Sequence, residues 1–152
     1  MMRCAAIIMT SHIVIATQTA VTAPAPTTAQ GRIDTMAKAI FIHKSLPMMD
    51  FIDFDGSLDW YYSKIGCNTI DIVHAYGLDG IAGLDNVDIV CDDEGLLDDA
   101  PEVNVLASLL YGAAVHGQPI VGNVIISAHD AAGNDIGLTD QQIQKIACFL
   151  AQ

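Results

Sequence analysis

Between Asp85 and Glu102 the chain carries eight acidic residues and no basic one: Asp85, Asp88, Asp92, Asp93, Glu94, Asp98, Asp99 and Glu102. Carboxylates at this density can ligate a hard cation, move a proton, or coat a surface that meets a basic partner. Ligation of the EF-hand kind fails on spacing, because counting back from Gly95 puts the first ligand position on Val90. A catalytic carboxylate pair cannot be singled out either, since any two acids of the run could approach each other. His43, His74, His116 and His129 show neither H-x-x-x-H nor Cys/His spacing, so no zinc site is expected. The G-x-S-x-G, Walker A and H-E-x-x-H motifs are absent. Gly77, Gly80 and Gly83 do not make a dinucleotide fingerprint, because no helix is expected to open after them. No catalytic residue, metal or cofactor is therefore assigned, and a solvated acidic face is the preferred reading of the run.

The elements that must position these acids follow from apolar spacing. Val87, Ile89 and Cys91 alternate with Asp88, Val90 and Asp92, a period of two that predicts a strand. The Asp93-Glu94-Gly95 turn ends it, and glycine there suits a positive φ. Asn104 is the expected N-cap of a helix running to about His116, with Leu106, Leu109, Leu110 and Ala113 as its buried stripe. Gly117 and Pro119 stop that helix, and Ile120–Ser127 reads as a strand buried on both faces. Gly122 inside it would let a neighbouring group approach closely, helix packing being the preferred reason.

Around this centre, Lys38–His43 and Asp50–Phe54 read as strands joined through Ser45-Leu46-Pro47. Ser57 caps a helix that ends at Gly66, and Cys67–Tyr76 is a further strand. Thr139 to Gln142 is a T-x-x-Q capping box opening the last helix. The fold class expected is α/β (α+β), a small mixed sheet of about five strands packed by three helices.

Charge bounds the partners. The 152 residues hold 18 acids against 6 bases, a formal net charge of −12. From Met36 onward the bases are Lys38, Lys44, Lys64 and Lys145, with no arginine. Direct nucleic-acid binding needs several cationic phosphate contacts and is not expected. No apolar run reaches the length of a membrane span, so no membrane insertion is expected. Cys4, Cys67, Cys91 and Cys148 form no C-x-x-C pair and suit a reducing compartment. Residues 1–35 are expected to lie outside the domain, which then spans 36–152. They read as upstream sequence from a misassigned start, or as a signal-like segment that would make the protein secreted.

Several stretches together resemble a known family: AKAIFIH, then FDGSLDWYYSKIGCNTIDIV, VDIVCDDEGLL, VNVLASLLYG and IVGNVII. From Lys38 to about Thr139 their order is similar to domain of unknown function 3846, small proteins common in phages and mobile elements. Cys67 and Asn68 stand where the family usually has a second glycine, and Asn123 where it has aspartate. The resemblance implies a non-catalytic accessory protein in the bacterial host cytoplasm, an anti-defence binder rather than an enzyme. Such a binder would sequester a small nucleotide signal or block a host defence protein. For a sequestered ligand the expected site is Asp93, Glu94, Gly95, Asn104, Gly122 and Asn123, which offer backbone donors and amides where arginines are missing. Two other roles are weighed. One is an acidic DNA-mimic decoy using Asp85, Asp88, Asp92, Asp98, Asp99 and Glu102, and the other a structural homo-oligomeric subunit.

Overall fold

Valine- and isoleucine-rich strands put apolar side chains on both faces of one sheet, and the helices divide between those faces. The structure, a computed structural model, describes residues 37–45 and 47–152. The readings made for residues 1–35, and for Leu46 in the first turn, lie outside the described residues.

The elements in order are β1 (Lys38–Ile42), β2 (Met49–Asp53), α1 (Leu58–Ile65), β3 (Ile70–His74), β4 (Val87–Asp92), α2 (Val105–Tyr111), α3 (Ala113–His116), β5 (Val124–His129), β6 (Asp135–Ile136) and α4 (Asp140–Leu150). Short 3-10 turns at Tyr76–Leu78 and Gly95–Leu97 follow β3 and β4. The strand order is β2-β1-β5-β4-β3, with β6 pairing the far end of β5. Every ladder is antiparallel. The α/β class expected from the sequence is the one observed. No described helix is long and apolar enough to cross a membrane.

β5 is the hub, because its apolar residues feed both faces. On one face Ile40, Ile42, Val87, Ile89, Val124 and Ile126 meet Leu110 of α2 and Ile146 of α4. On the other, Ala39, Val90 and Ile125 meet Tyr61 and Ile65 of α1. Removing a fully buried isoleucine side chain such as that of Ile126 would cost about 2–5 kcal/mol, lost transfer energy plus a cavity. The caps read from the sequence form as expected. Ser57 accepts from the Trp60 N–H, and Thr139 with Gln142 makes the reciprocal box.

The sheet is antiparallel throughout where a mixed one was expected, and the strand expected over Cys67–Tyr76 is confined to Ile70–His74, with Tyr76 in a 3-10 turn. Three further expectations need correction, each at a glycine. The single helix from Asn104 to His116 breaks at Gly112, whose φ of 75° ends α2 before α3 begins. The strand expected from Ile120 starts only at Val124, because Gly122 has a φ of 76° and interrupts the extended run. Residues before it pair instead with the segment leading into α2, through a Val103–Val121 bridge. A Cβ on Gly122 would meet nothing within 4 Å, so this glycine serves a backbone turn rather than a close approach. The close approach is at Gly77, where a Cβ would sit 2.4 Å from the Leu109 carbonyl oxygen of α2.

That contrast is measurable. Gly77→Ala is expected to cost about 2 kcal/mol or more, because rigid backbone must move. Gly80→Ala, in open space at a φ of 82°, is expected to cost only about 1 kcal/mol of left-handed strain. Urea denaturation of the two variants should rank them in that order.

Candidate functional site

At the end of β4 the chain must turn, and the turn is built from side-chain oxygen. The Glu94 N–H donates to Asp92 Oδ1 at 3.0 Å, an Asx-type contact that swings the backbone toward Leu96. Gly95 lets this turn press on the Pro119–Val121 segment, since a Cβ there would lie 2.8 Å from Val121 Cγ2. Its φ is not positive, so close packing accounts for this glycine, in place of the expected turn geometry.

Between these segments lies an open cleft of 220 Å³. Asp71 and Val73 of β3, Cys91 and Asp92 of β4, Asp93, Leu96, Tyr111 and residues 118–121 line it. The β3–β4 register places Asp71 opposite Cys91, and the Cys91 thiol donates to the Asp71 carbonyl at 3.8 Å. Burial, then the charges of Asp71, Asp92 and Asp93, push the Cys91 thiol up to about 12. Tyr111 is half-buried, met edge-on by the Tyr76 ring at 6.0 Å and at a 38° tilt by the His116 ring at 5.2 Å between centroids. The cleft therefore combines apolar walls, one aromatic ring and three carboxylates, with no lysine among its lining residues.

The six residues expected to hold a ligand do not converge. Asp93 borders the cleft, Gly95 is buried beneath it, and Glu94 is exposed on the same turn. Asn104 lies elsewhere, at the edge of a second cleft of 330 Å³ with Lys44, Ser45 and Val103. It is 1% exposed, and its amide is spent on structure. Its Oδ1 accepts from the Ala107 N–H at 3.1 Å, while Nδ2 donates to the carbonyls of Gly122 at 2.9 Å and Ile42 at 3.3 Å. Asn123 is likewise engaged: its Oδ1 accepts from the Lys44 N–H, and its Nδ2 donates to the Ile65 carbonyl. Gly122 and Asn123 line neither cleft.

The alternative acidic set is dispersed as well. Asp85, Asp98 and Asp99 are exposed, and Asp92 is half-buried in the cleft. Glu102 accepts from the Ser45 hydroxyl at 3.0 Å and lies 3.6 Å from Lys44 Nζ. Asp88 belongs to the opposite sheet face, between two histidines. His129 Nδ1 donates to one of its oxygens at 2.5 Å, and His74 Nδ1 lies 3.6 Å from the other. His74 Nε2 in turn donates to Asp79 at 2.9 Å.

No linear motif marks this cluster or Asp71, because antiparallel pairing of distant residues builds both. Counting outward from the Gly77–Gly83 turn pairs His74 with Asp88 and Asp71 with Cys91. A histidine fixed by a carboxylate is half of a nucleophile-activating pair. Ser127 faces Asp88 across the β4–β5 ladder, but it is 1% exposed and offers no accessible nucleophile. On the same face the Tyr61 hydroxyl donates to Asp135, and burial together with that bond raises its pKa. Among the described residues no group of three His, Cys, Asp or Glu side chains is arranged to hold a metal ion.

A family model described as Domain of unknown function (DUF3846) matches residues 38–150, as the resemblance implied, and carries the match through α4. No curated protein and no solved structure matches the chain.

Two measurements probe this geometry. Asn104→Ala should lower stability by about 2 kcal/mol, since a cap is lost and two buried carbonyls lose a donor. Asn104→Asp keeps the cap yet should not rescue, because it turns a carboxylate toward those carbonyls. Thermal melts of both variants decide this. Alkylation followed by peptide mass spectrometry should modify exposed Cys148 first, half-buried Cys67 more slowly, and Cys91 only on unfolding. The unfolded chain ionises the Cys91 thiol before the folded one does. Its contribution to stability is therefore present below pH 9.0 and is lost as pH rises toward about 12.

Proposed function

This chain belongs to the DUF3846 family, and on that footing we propose that it is a non-catalytic accessory protein of a phage or mobile element that binds and blocks a host defence protein. The observation that carries this reading is the sign of the cleft: Asp71, Asp92 and Asp93 line it without a lysine. Glu94, on the same turn as Asp93, adds exposed negative charge. Such a surface favours a cationic partner and opposes a phosphate. Sequestration of a nucleotide fits less well for that reason. The Asn104 cap expected to serve it is already committed to three backbone groups. The binder would act in the bacterial host cytoplasm, where its target resides.

The decoy reading differs in mechanism, since a DNA mimic acts through dispersed charge alone and weakens steeply with salt. A binder that also uses apolar contact retains affinity when salt rises. In-cell crosslinking of the tagged, full-length chain in a host carrying a nucleotide-signalling defence system tests the proposal. One defence protein should be trapped, and its activity should fall. Recovery of a tightly held nucleotide by mass spectrometry, with no trapped protein, would count decisively for sequestration instead.

A further inference from the structure

In this cleft an exposed leucine and a half-buried tyrosine ring share one concave surface with three carboxylates. Leu96 is 48% exposed and forms one wall, while Val121 and the Tyr111 ring form others. A leucine left in water beside three carboxylates suits an occupant that is apolar along its stem and cationic at its tip. The face of a tyrosine ring adds attraction for the same kind of group. We propose that this cleft is a docking groove for a basic amphipathic segment of a partner protein. Its apolar side chains would rest on Leu96, Tyr111 and Val121, and its arginine or lysine would meet Asp71, Asp92 and Asp93. The proposal deepens, and rests on, the reading of the chain as a binder.

Charge complementarity selects this occupant over a second copy. The whole chain carries −12, and only four lysines follow Met36. Lys38 pairs with Asp53, Lys44 lies against Glu102, and Lys145 donates to the Ala82 carbonyl. Among the described residues a second copy therefore has one further exposed lysine, Lys64 in the last turn of α1, to set against a large excess of carboxylates. An inorganic cation does not account for the apolar walls, which contribute only when carbon is placed against them.

The test uses the full-length chain and a short fluorescent peptide of alternating leucine and lysine pairs, read by anisotropy. The peptide should bind, and amide shifts in its presence should map to Leu96, Tyr111, Gln118 and Val121. Leu96→Ser and Asp93→Lys should each weaken it about tenfold. Leu97→Ser, at an 81% exposed side chain that does not line the cleft, should leave affinity unchanged. Melting curves establish that all three variants fold, as their exposed positions lead one to expect.

Equal affinity for polylysine or spermine would overturn the proposal by reducing it to charge alone. So would an unaltered affinity in Leu96→Ser, or self-association abolished by that change. Tighter peptide binding in Arg32→Glu would also overturn it, identifying the chain's own N-terminal segment as occupant. If Leu96→Ser still traps the defence protein in cells, the binder reading stands and the groove falls. If the peptide docks as described but no defence protein is trapped, the groove stands and the wider reading falls.

Discussion

The Asn104 amide joins three parts of the chain that would otherwise meet only through apolar contact. It ends β1 by donating to the Ile42 carbonyl, fixes the Gly122 turn before β5, and caps α2 through the Ala107 N–H. Each of those backbone groups is a donor or acceptor that burial would leave unmade, at a cost of about 1–3 kcal/mol per group. The backbone on either side adds to the tie, since the Asn104 N–H donates to Ile120 and the Gly122 N–H to Glu102. The placement of residues 118–121, and so one wall of the acidic cleft, depends on this short ladder. A side chain chosen from the sequence as a ligand contact is instead what positions the cleft 's neighbouring wall.

The cleft itself depends on a second constraint, the absence of compensating cation. In a chain of ordinary composition, an arginine or lysine would lie across Asp71, Asp92 and Asp93 and neutralise them. Here three of the four lysines after Met36 are engaged at other sites, Lys38 on β2, Lys44 on Glu102 and Lys145 on the Ala82 carbonyl. The fourth, Lys64, is exposed in the last turn of α1 and does not line the cleft. The three carboxylates line an open cleft together, where solvent screens their mutual repulsion to a modest cost. An occupant bringing positive charge relieves that repulsion, while one bringing phosphate increases it. The surviving selectivity comes from the apolar walls, which reward carbon near the charge and give nothing to a hydrated ion.

Much of the scaffold was legible from spacing alone. Ser57, Asn104 and Thr139 were identifiable as caps because a short polar side chain stands just before an apolar helical stripe. Strand β4 was readable from Val87, Ile89 and Cys91, and all three lie in the core as alternation demands. The errors arose where glycine was ambiguous. Gly95, Gly112 and Gly122 look alike in sequence, yet one is there for close packing, one ends a helix, and one turns the chain before a strand. Only the neighbours separate these uses. The candidate site was half legible for a related reason. Asp92, Asp93 and Gly95 belong to one local turn, whereas Asp71 and Val121 arrive through strand and bridge pairing and Tyr111 through the packing of α2. Asp88 shows the reverse: adjacent in sequence to the acidic run, it faces the other side of the sheet and bridges His74 and His129.

Both edges of the sheet carry carboxylates, those of β2 set against Lys38 and His43 and that of β3 shared with the cleft. β2 presents Asp50 and Asp53, and β3 presents Asp71 beside the 54% exposed Ile72. An exposed edge strand invites another strand to add, and charge is a common way to prevent it. Acidic edges repel a second copy of an acidic chain most strongly, so the composition discourages self-assembly at these edges. The same carboxylates do not repel a basic protein. Protection against self-pairing and readiness for a cationic partner are thus one electrostatic property seen from two sides. A neutral domain of this fold would need separate devices for the two, whereas here the shortage of cations supplies both, and the apolar lining of the cleft decides where such a partner settles.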